Sequence, residues 1–146
     1  MDQAAITRLL AAMCQHSRSV KPKGLGILGE ANLTKQLTRS WHVDQESVRY
    51  RKATGTRDGV PFAWEVAFGI YEKDYRGCGF VNLVGLNWTP ALQPPIRELT
   101  QLLGQQRVNR HDPVVLIVHL ACPVIPYTDR GKSIVDLGLE AGQAAG

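Results

Sequence analysis

The stretch GVPFAWEVAFGIY, residues 59–71, decides the fold of this chain. Its bulky apolar residues recur at every second position, which is the period of a β-strand rather than of a helix. The alternation gives the strand two unlike faces. One face carries Phe62, Trp64, Val66, Phe68 and Ile70, and the other carries Ala63, Glu65, Ala67, Gly69 and Tyr71. We expect Trp64 and Phe68 to belong to the hydrophobic core.

The segments around this strand predict three more strands. Asp58 and Gly59 suit a two-residue hairpin turn, so residues 48–57 are expected to pair antiparallel with the strand that follows. The polar, glycine-bearing stretch EKDYRGCG, residues 72–79, predicts a second hairpin that leads into a strand over residues 80–88. The apolar run that starts at Val114 predicts a buried fourth strand, with Val115 and Ile117 in the core.

Helical patterns flank and interrupt these strands. Asp2 suits the N-cap of a first helix that runs to about His16, and its apolar stripe must pack on something. Leu33 and Leu37, one helical turn apart, predict a short second helix. Another helix is expected to open at Pro94 and Pro95, with its apolar side formed by Ile96, Leu99, Leu102 and Leu103. A terminal helix is expected after the last strand.

These elements together predict an α+β fold with a mainly antiparallel four-stranded sheet and helices on one face, preceded by a short helical segment. We expect residues 1–42 to form the helical segment and connector, and residues 43–146 to form the αβ domain. A chain of 146 residues with 44% hydrophobic and 21% charged residues has room for one ordinary globular domain. No apolar run reaches the ~20 residues of a membrane helix and no signal peptide is indicated, which predicts a cytoplasmic protein without a membrane partner.

The charged and metal-binding residue types give few further indications. A net charge of +4 permits an acidic partner such as nucleic acid, and Arg49, Arg51, Lys52 and Arg57 cluster in the sequence. No recognised binding module accompanies them, so a solvated hairpin face is the simpler interpretation. The three cysteines and four histidines have neither the spacing of a disulfide framework nor that of a metal site. His119, in the apolar strand, is expected to be a satisfied core residue.

Residues 127–136, YTDRGKSIVD, contain the Gly-Lys-Ser that ends a phosphate-binding P-loop. That motif needs a glycine five residues before Gly131, and Pro126 stands there. Because proline has no N–H and a fixed φ, the nest of amides that holds phosphate cannot form. The P-loop interpretation is therefore rejected, and the residues alone predict only a solvated role for Lys132.

Three stretches of the chain resemble, in the same order, the B subunit of DNA topoisomerase VI, the type IIB enzyme. The first, KGLGILGEANLTKQL, keeps the Gly-Glu of the family's Ser-Pro-Ile-Gly-Glu segment at Gly29 and Glu30. The second, GVPFAWEVAFGIY with the later LNWTP, matches the family's Pro-Phe-x-x-Glu and Asn-x-x-Pro at Pro61, Phe62, Glu65, Asn87 and Pro90. The third, VVLIVHLACPVIPYTDRGKSIVD, corresponds to the family's Val-His, Pro-Phe, Gly-Lys and Ile-x-Asp, with a tyrosine in place of the phenylalanine, at Val118, His119, Pro126, Tyr127, Gly131, Lys132, Val135 and Asp136.

The resemblance implies a transducer domain, which has a ribosomal-protein-type αβ fold and follows a GHKL ATP-binding domain in that family. It implies that Lys132 is the catalytic switch lysine, reaching the γ-phosphate of ATP in the neighbouring domain, and that Gly131 and Lys132 contact the nucleotide. ATP and magnesium are then the cofactors of the parent protein. The implied partners are the GHKL domain, the DNA-cleaving A subunit, DNA and a second copy of the parent protein.

Two interpretations of the function follow from the sequence. The family's ATP-site residues belong to the GHKL domain. The present 146-residue sequence does not contain the motifs of that domain, so no cofactor and no activity are expected for the isolated chain. The chain is then either a transducer domain that couples ATP hydrolysis to DNA strand passage, or a stand-alone αβ interaction module without an ATPase role. An independent small enzyme is the weakest alternative, because no Ser-His-Asp, Cys-His or paired-carboxylate pattern stands out.

Overall fold

The computed structural model describes residues 2–18, 20–72, 79–90, 99, 103–125, 127 and 135. The described elements are the helices α1 (Gln3–His16) and α2 (Glu30–Trp41) and the strands β1 (Arg49–Arg57), β2 (Val60–Ile70), β3 (Val81–Leu86), β4 (Thr89–Pro90) and β5 (Val114–Ala121). Two short 3-10 turns, Pro22–Gly24 and Gln45–Ser47, lie in the connections. The fold is α+β with a short helix before the sheet, as expected from the sequence.

The five strands form one mixed sheet in the order β1-β2-β5-β3-β4. Three of the four strand pairs are antiparallel, which confirms a mainly antiparallel sheet, but β3 and β5 are parallel. The expected count of four strands is wrong, because the two-residue β4 adds a fifth. The expected hairpin between β2 and β3 is also wrong. The apolar β5, buried along almost its whole length, takes the central position between them.

The hairpin of β1 and β2 is confirmed. Its turn residues Asp58 and Gly59 have φ values of 50° and 78°, the left-handed conformation that a two-residue primed turn needs at both positions. Pairing continues from Arg57 opposite Val60 to Arg49 opposite Phe68. The turn therefore fixes the register of the whole hairpin.

The small-residue face of the sheet, defined by Ala63, Glu65, Ala67 and Gly69 of β2, is buried. Leu33 and Leu37 of α2 pack there in one cluster with buried residues of the sheet and its flanks, namely Val43, Ala67, Tyr71, Val115 and Ile117. Small side chains are required for this close packing. A Cβ atom added at Gly69 would lie 2.2 Å from Cγ1 of Val43.

The bulky face, defined by Phe62, Trp64, Val66, Phe68 and Ile70, is only partly covered. The helical residues Leu99 and Leu103 pack against the sheet on this side, in a cluster with Val66, Val84, Leu116 and Val118. Helical residues therefore contact both faces, and the expectation of helices on one face is wrong. The remaining residues of the helix expected after Pro94, and the expected terminal helix, lie outside the described residues.

The expected core residues divide between these two faces. Val115 and Ile117 are buried as expected, Leu99 and Leu103 are partly buried, and so is Trp64. Phe68 is not a core residue, since it is 41% exposed. It lies near the outer end of β2, beyond the cluster that Leu99 and Leu103 form with the centre of the sheet.

Helix α1 forms as expected but does not pack as expected. The carboxylate of Asp2 accepts a hydrogen bond from the backbone N–H of Ala4, which caps the helix. No residue of α1 is buried, and the side chains of Leu9, Leu10 and Met13 are more than half exposed. The apolar stripe of α1 therefore has no covering surface within the described residues. Over that same part of the chain, no helix is both long and apolar enough to cross a membrane.

The difference between the two helices gives a direct test of the core. Leu37→Ala should lower the free energy of unfolding by about 2–5 kcal/mol, because the leucine is fully buried and its removal leaves a cavity. Leu9→Ala, the same substitution on the exposed stripe of α1, should change it by no more than about 0.5 kcal/mol. Denaturant unfolding followed by circular dichroism measures both. Equal losses would contradict this assignment of the core.

Candidate functional site

The carboxylate of Glu65 is fully buried and accepts four hydrogen bonds. The backbone N–H of Leu28 donates to Oε2 at 2.6 Å, and that of Gly29 donates to Oε1 at 2.7 Å. The hydroxyl of Tyr50 donates to Oε1 at 2.7 Å, and Nδ1 of His119 lies 3.0 Å from Oε2. The sheet is thus joined at one side chain to the connector, which we define as residues 17–29 between α1 and α2. We call the five bonded residues the Glu65 cluster.

The strand register explains why three of these side chains meet. Glu65 on β2 and His119 on β5 are direct cross-strand partners, so their side chains emerge side by side on the small-residue face. Tyr50 on β1 is opposite Ala67, one diagonal position from Glu65, and a long aromatic side chain can bridge that distance. The pairing of β1, β2 and β5 therefore places all three groups at the same height in the sheet.

The hydrogen bonds keep Glu65 ionised in spite of its burial. Burial favours the neutral form and acts to raise the pKa of Glu65, but the donors Tyr50, Leu28 N–H, His119 and Gly29 N–H outweigh it and hold the pKa below its usual value. The pKa of Tyr50 is raised well above its usual value, first by burial and then by its hydrogen bond to the negative carboxylate. Tyr50 therefore stays a hydrogen-bond donor.

His119 joins the cluster through one ring nitrogen. Because an ionised carboxylate only accepts hydrogen bonds, Nδ1 of His119 carries a hydrogen and donates a hydrogen bond to Glu65. The other nitrogen, Nε2, is buried and has no hydrogen-bond partner among the described residues. The indole of Trp88 lies edge-on to the imidazole, with ring centroids 5.4 Å apart. Gly85, opposite His119 on β3, leaves room for the ring, since an added Cβ would lie 3.4 Å from its Cδ2.

The connector reaches Glu65 because it contains glycine at two positions. A Cβ atom on Gly26 would lie 2.6 Å from the ring of Trp88, so this close approach of backbone to indole excludes a side chain. Gly29 has a φ of 84° and is the N-cap of α2. The carboxylate of Glu65 therefore lies at the N-terminal end of α2, where the orphan N–H groups of a helix favour negative charge.

A second polar contact fixes the end of β5. Asn87 donates from Nδ2 to the carbonyl of Cys122 at 2.7 Å, and its Oδ1 accepts from the N–H of Cys122 at 2.8 Å. The side chain thus pairs with β5 as a strand backbone would. Asn87 and Trp88 have φ values of 48° and 68° in the tight turn from β3 to β4. Asparagine tolerates this conformation better than most residues.

Gly131 and Lys132, the nucleotide-contacting residues implied by the resemblance, lie outside the described residues. Tyr127 and Val135, which flank them in the sequence, form an isolated antiparallel bridge. Val135 is fully buried in a cluster with Leu120 of β5 and Cys122. The described residues on either side of the Gly-Lys pair are therefore anchored to the end of β5, on the bulky face.

The Glu65 cluster has the properties of a joint rather than of an active site. A general base must lie within hydrogen-bond distance of the substrate proton that it removes. The carboxylate of Glu65 is fully buried, and all its hydrogen-bond donors belong to the protein itself. Within the described ranges, no group of three or more His, Cys, Asp or Glu side chains is placed to hold a metal ion. What the cluster can do is fasten the connector to β2 and β5.

Sequence reasoning identified only part of this arrangement. Glu65 was identified through the family motif, and His119 was expected to be a satisfied core residue. The structure confirms that His119 is buried and bonded through Nδ1, but its Nε2 has no hydrogen-bond partner among the described residues. The contact between the two residues, and the parts played by Tyr50 and the connector amides, were missed. The available signal was that Glu65 and His119 are each the only titratable residue within their apolar strands.

Comparisons with known proteins do not establish a family. A scan against protein-family models gives no match, and a search among curated proteins finds no relative of this chain. The resemblance to the topoisomerase VI B subunit is for that reason taken up below as a proposal.

Replacing the charge at position 65 should produce a pH-dependent loss of stability. Glu65→Gln should cost about 2 kcal/mol or more at pH 7, because the amide has one acceptor oxygen and its NH2 group faces N–H donors. Since the pKa of Glu65 is lowered from 4.5 in the folded state, its contribution is complete above that pH and is lost as the pH falls below it. Denaturant unfolding of both proteins from pH 7 to pH 3 measures the difference.

The difference in the free energy of unfolding between wild type and Glu65→Gln should therefore be largest at neutral pH and decrease in acid. Glu46→Gln, the same change at an exposed glutamate, serves as the control and should be nearly neutral throughout. A difference in the free energy of unfolding that is independent of pH would show that the charge of Glu65 does not stabilise the fold.

Two substitutions separate the two roles of Asn87. Asn87→Gly keeps the backbone conformation but removes both bonds to Cys122, so it should cost about 1–2 kcal/mol. Asn87→Ala also forces a Cβ-bearing residue without a local polar contact into positive φ, which should add about 1 kcal/mol. Thermal and denaturant unfolding rank the variants. A glycine variant as stable as wild type would mean that the paired hydrogen bonds contribute nothing.

Proposed function

We propose that this chain is the transducer domain of a type IIB DNA topoisomerase B-like subunit. In this role it passes the state of ATP in a neighbouring GHKL domain to a DNA-cleaving A subunit, and so couples ATP hydrolysis to DNA strand passage. ATP and magnesium belong to the GHKL domain of the parent protein, which acts as a homodimer on DNA. The proposal places the parent protein in the cytoplasm.

One observation carries the proposal: the three separated stretches that resemble the family meet at the Glu65 cluster. The first stretch supplies the N–H groups of Leu28 and Gly29, the second supplies Glu65 itself, and the third supplies His119. The resemblance rested on sequence motifs in a shared order and did not require these contacts. Their convergence supports a common origin of the three motifs in one fold.

The same contacts suggest how a movement would travel through the domain. In the family, the segment that the connector resembles leads into the transducer domain, and here Glu65 holds it by two short hydrogen bonds. His119 ties Glu65 to β5, and the next residue of β5, Leu120, packs with Val135 on the other face. A displacement at the connector would therefore reach the segment that contains Lys132 through a single strand.

Lys132 is the residue that senses the nucleotide in this proposal. Its ammonium would pair with the γ-phosphate in a desolvated site between the two domains, where a charge-assisted hydrogen bond is strong. When the phosphate leaves, the contact is lost and the loop is free to move. Gly131 would allow the backbone to turn close to the phosphates.

The alternative is a stand-alone interaction module of the same fold without an ATPase role. The exposed apolar stripe of α1 favours it, because Leu9, Leu10 and Met13 need a partner surface that the described residues do not supply. The native open reading frame around Met1 separates the two functions. A GHKL-encoding segment upstream supports the transducer, and a native start at Met1 supports the module.

The catalytic part of the proposal is tested in the parent protein. Lys132→Ala should leave ATP binding largely intact and slow hydrolysis by about 100-fold, because the contact to the γ-phosphate matters most as charge develops in the transition state. Nucleotide binding by calorimetry and steady-state ATPase assays measure the two effects. Lys35→Ala, on the exposed surface of α2, is the matched control and should change neither.

The isolated chain completes this test. It should bind ATP no more tightly than a weak surface site, and Lys132→Ala should change its free energy of unfolding by no more than about 0.5 kcal/mol. An unchanged rate of ATP hydrolysis in the Lys132→Ala parent protein would mean that Lys132 is only a solvated lysine. A micromolar ATP site on the isolated chain would contradict the assignment of the nucleotide to a neighbouring domain.

A further inference from the structure

Strand β1 is the outermost strand on one side of the sheet. It is nine residues long and pairs with β2 on one side only. The part of the chain that the structure describes places no strand beyond it. An edge strand of this length presents a row of backbone N–H and C=O groups that can pair with a further strand.

All four charged side chains of β1 are positive and exposed. Arg49, Arg51, Lys52 and Arg57 are the charged residues of the strand, and none of them forms an ion pair with a described carboxylate. Arg49 is also held in place, because its guanidinium donates to the carbonyls of Glu46 and Val48. The edge therefore carries a concentration of positive charge that its surroundings do not neutralise.

The positions of these charges favour the edge over either face as the binding surface. Arg49, Arg51 and Arg57 lie on the bulky face, opposite Phe68, Val66 and Val60. Lys52 lies on the other face, since it is opposite Glu65. A strand added beside β1 would pair with the backbone groups of the edge, and its alternate side chains would lie beside the three arginines, whereas a nucleic acid on this face would leave those backbone groups unpaired.

We propose that the β1 edge binds an extended acidic segment of another protein, which pairs with it as a sixth strand. Backbone hydrogen bonds supply the affinity, and acidic side chains at alternate positions meet the arginines across the new strand pair. A second copy of this chain does not fit the edge. Two β1 strands side by side would bring together two sets of positive side chains with no acidic residue on either strand, which destabilises a strand pair.

The probe is a fluorescein-labelled nine-residue peptide of alternating glutamate and threonine, titrated with the whole chain. We expect binding by fluorescence anisotropy, together with slower hydrogen exchange of alternate backbone amides of β1 by NMR. The peptide in which lysine replaces glutamate should not bind. A glutamate peptide N-methylated at every residue keeps the charge but has no backbone N–H to donate from either edge, and it should bind at least about tenfold more weakly.

Charge reversal on the protein, instead of on the peptide, tests the same surface. Arg49→Glu with Arg51→Glu should weaken peptide binding by about tenfold or more, because two attractive cross-strand pairs become repulsive. Lys35→Glu with Arg39→Glu, on the exposed side of α2, makes the same change in net charge and should weaken it no more than about twofold. Circular dichroism melts confirm that both variants are folded.

Three outcomes would overturn the proposal. The first is equal binding of the N-methylated and unmodified glutamate peptides, which would show attraction without strand pairing. The second is tighter binding of a nine-nucleotide oligothymidylate than of the glutamate peptide, which would identify the surface as a nucleic-acid site. The third is absence of peptide binding at millimolar concentration and low salt.

Discussion

The buried carboxylate of Glu65 is the constraint on which the rest of the structure depends. A charged group without solvent costs several kcal/mol unless hydrogen bonds replace its water. Here two of the four donors, the amides of Leu28 and Gly29, come from outside the sheet. The sheet therefore cannot bury Glu65 at low cost without the connector, and the connector amides find their acceptor only on the sheet. Each part supplies what the other lacks, so a disturbance of one is transmitted to the other.

The composition of the two faces of β2 follows from that joint. The connector and α2 approach the sheet closely on the small-residue face, where Gly69 has no room for a Cβ atom and Gly26 lies against the indole of Trp88. Bulky side chains on that face would hold the connector away from Glu65. The large residues of β2 are confined to the opposite face, where Phe68 and Ile70 remain partly exposed.

Local features of the sequence predicted the elements, and non-local ones decided their arrangement. The cap at Asp2, the Leu33 and Leu37 spacing and the Asp58-Gly59 turn are local signals, and each predicted its element correctly. The insertion of β5 between β2 and β3 depends on contacts far apart in the chain, so a polar loop was mistaken for a hairpin. Alternation likewise gave two faces without saying which is buried. Trp64 and Phe68 were expected in the core, but the more deeply buried face is the one with Glu65, whose four hydrogen-bond donors are not visible in the sequence.

Hydrogen exchange at the amides of Leu28 and Gly29 is the most direct measurement of whether Glu65 joins the connector to the sheet. In wild type, both amides should exchange as slowly as the amide of Ala67 in the centre of β2. Opening the contact between connector and sheet would leave the buried charge of Glu65 without two of its hydrogen bonds. In Glu65→Gln they should exchange far faster while Ala67 remains protected. Fast exchange of Leu28 and Gly29 in the wild-type protein, at the rate of a solvent-exposed amide, would contradict the account.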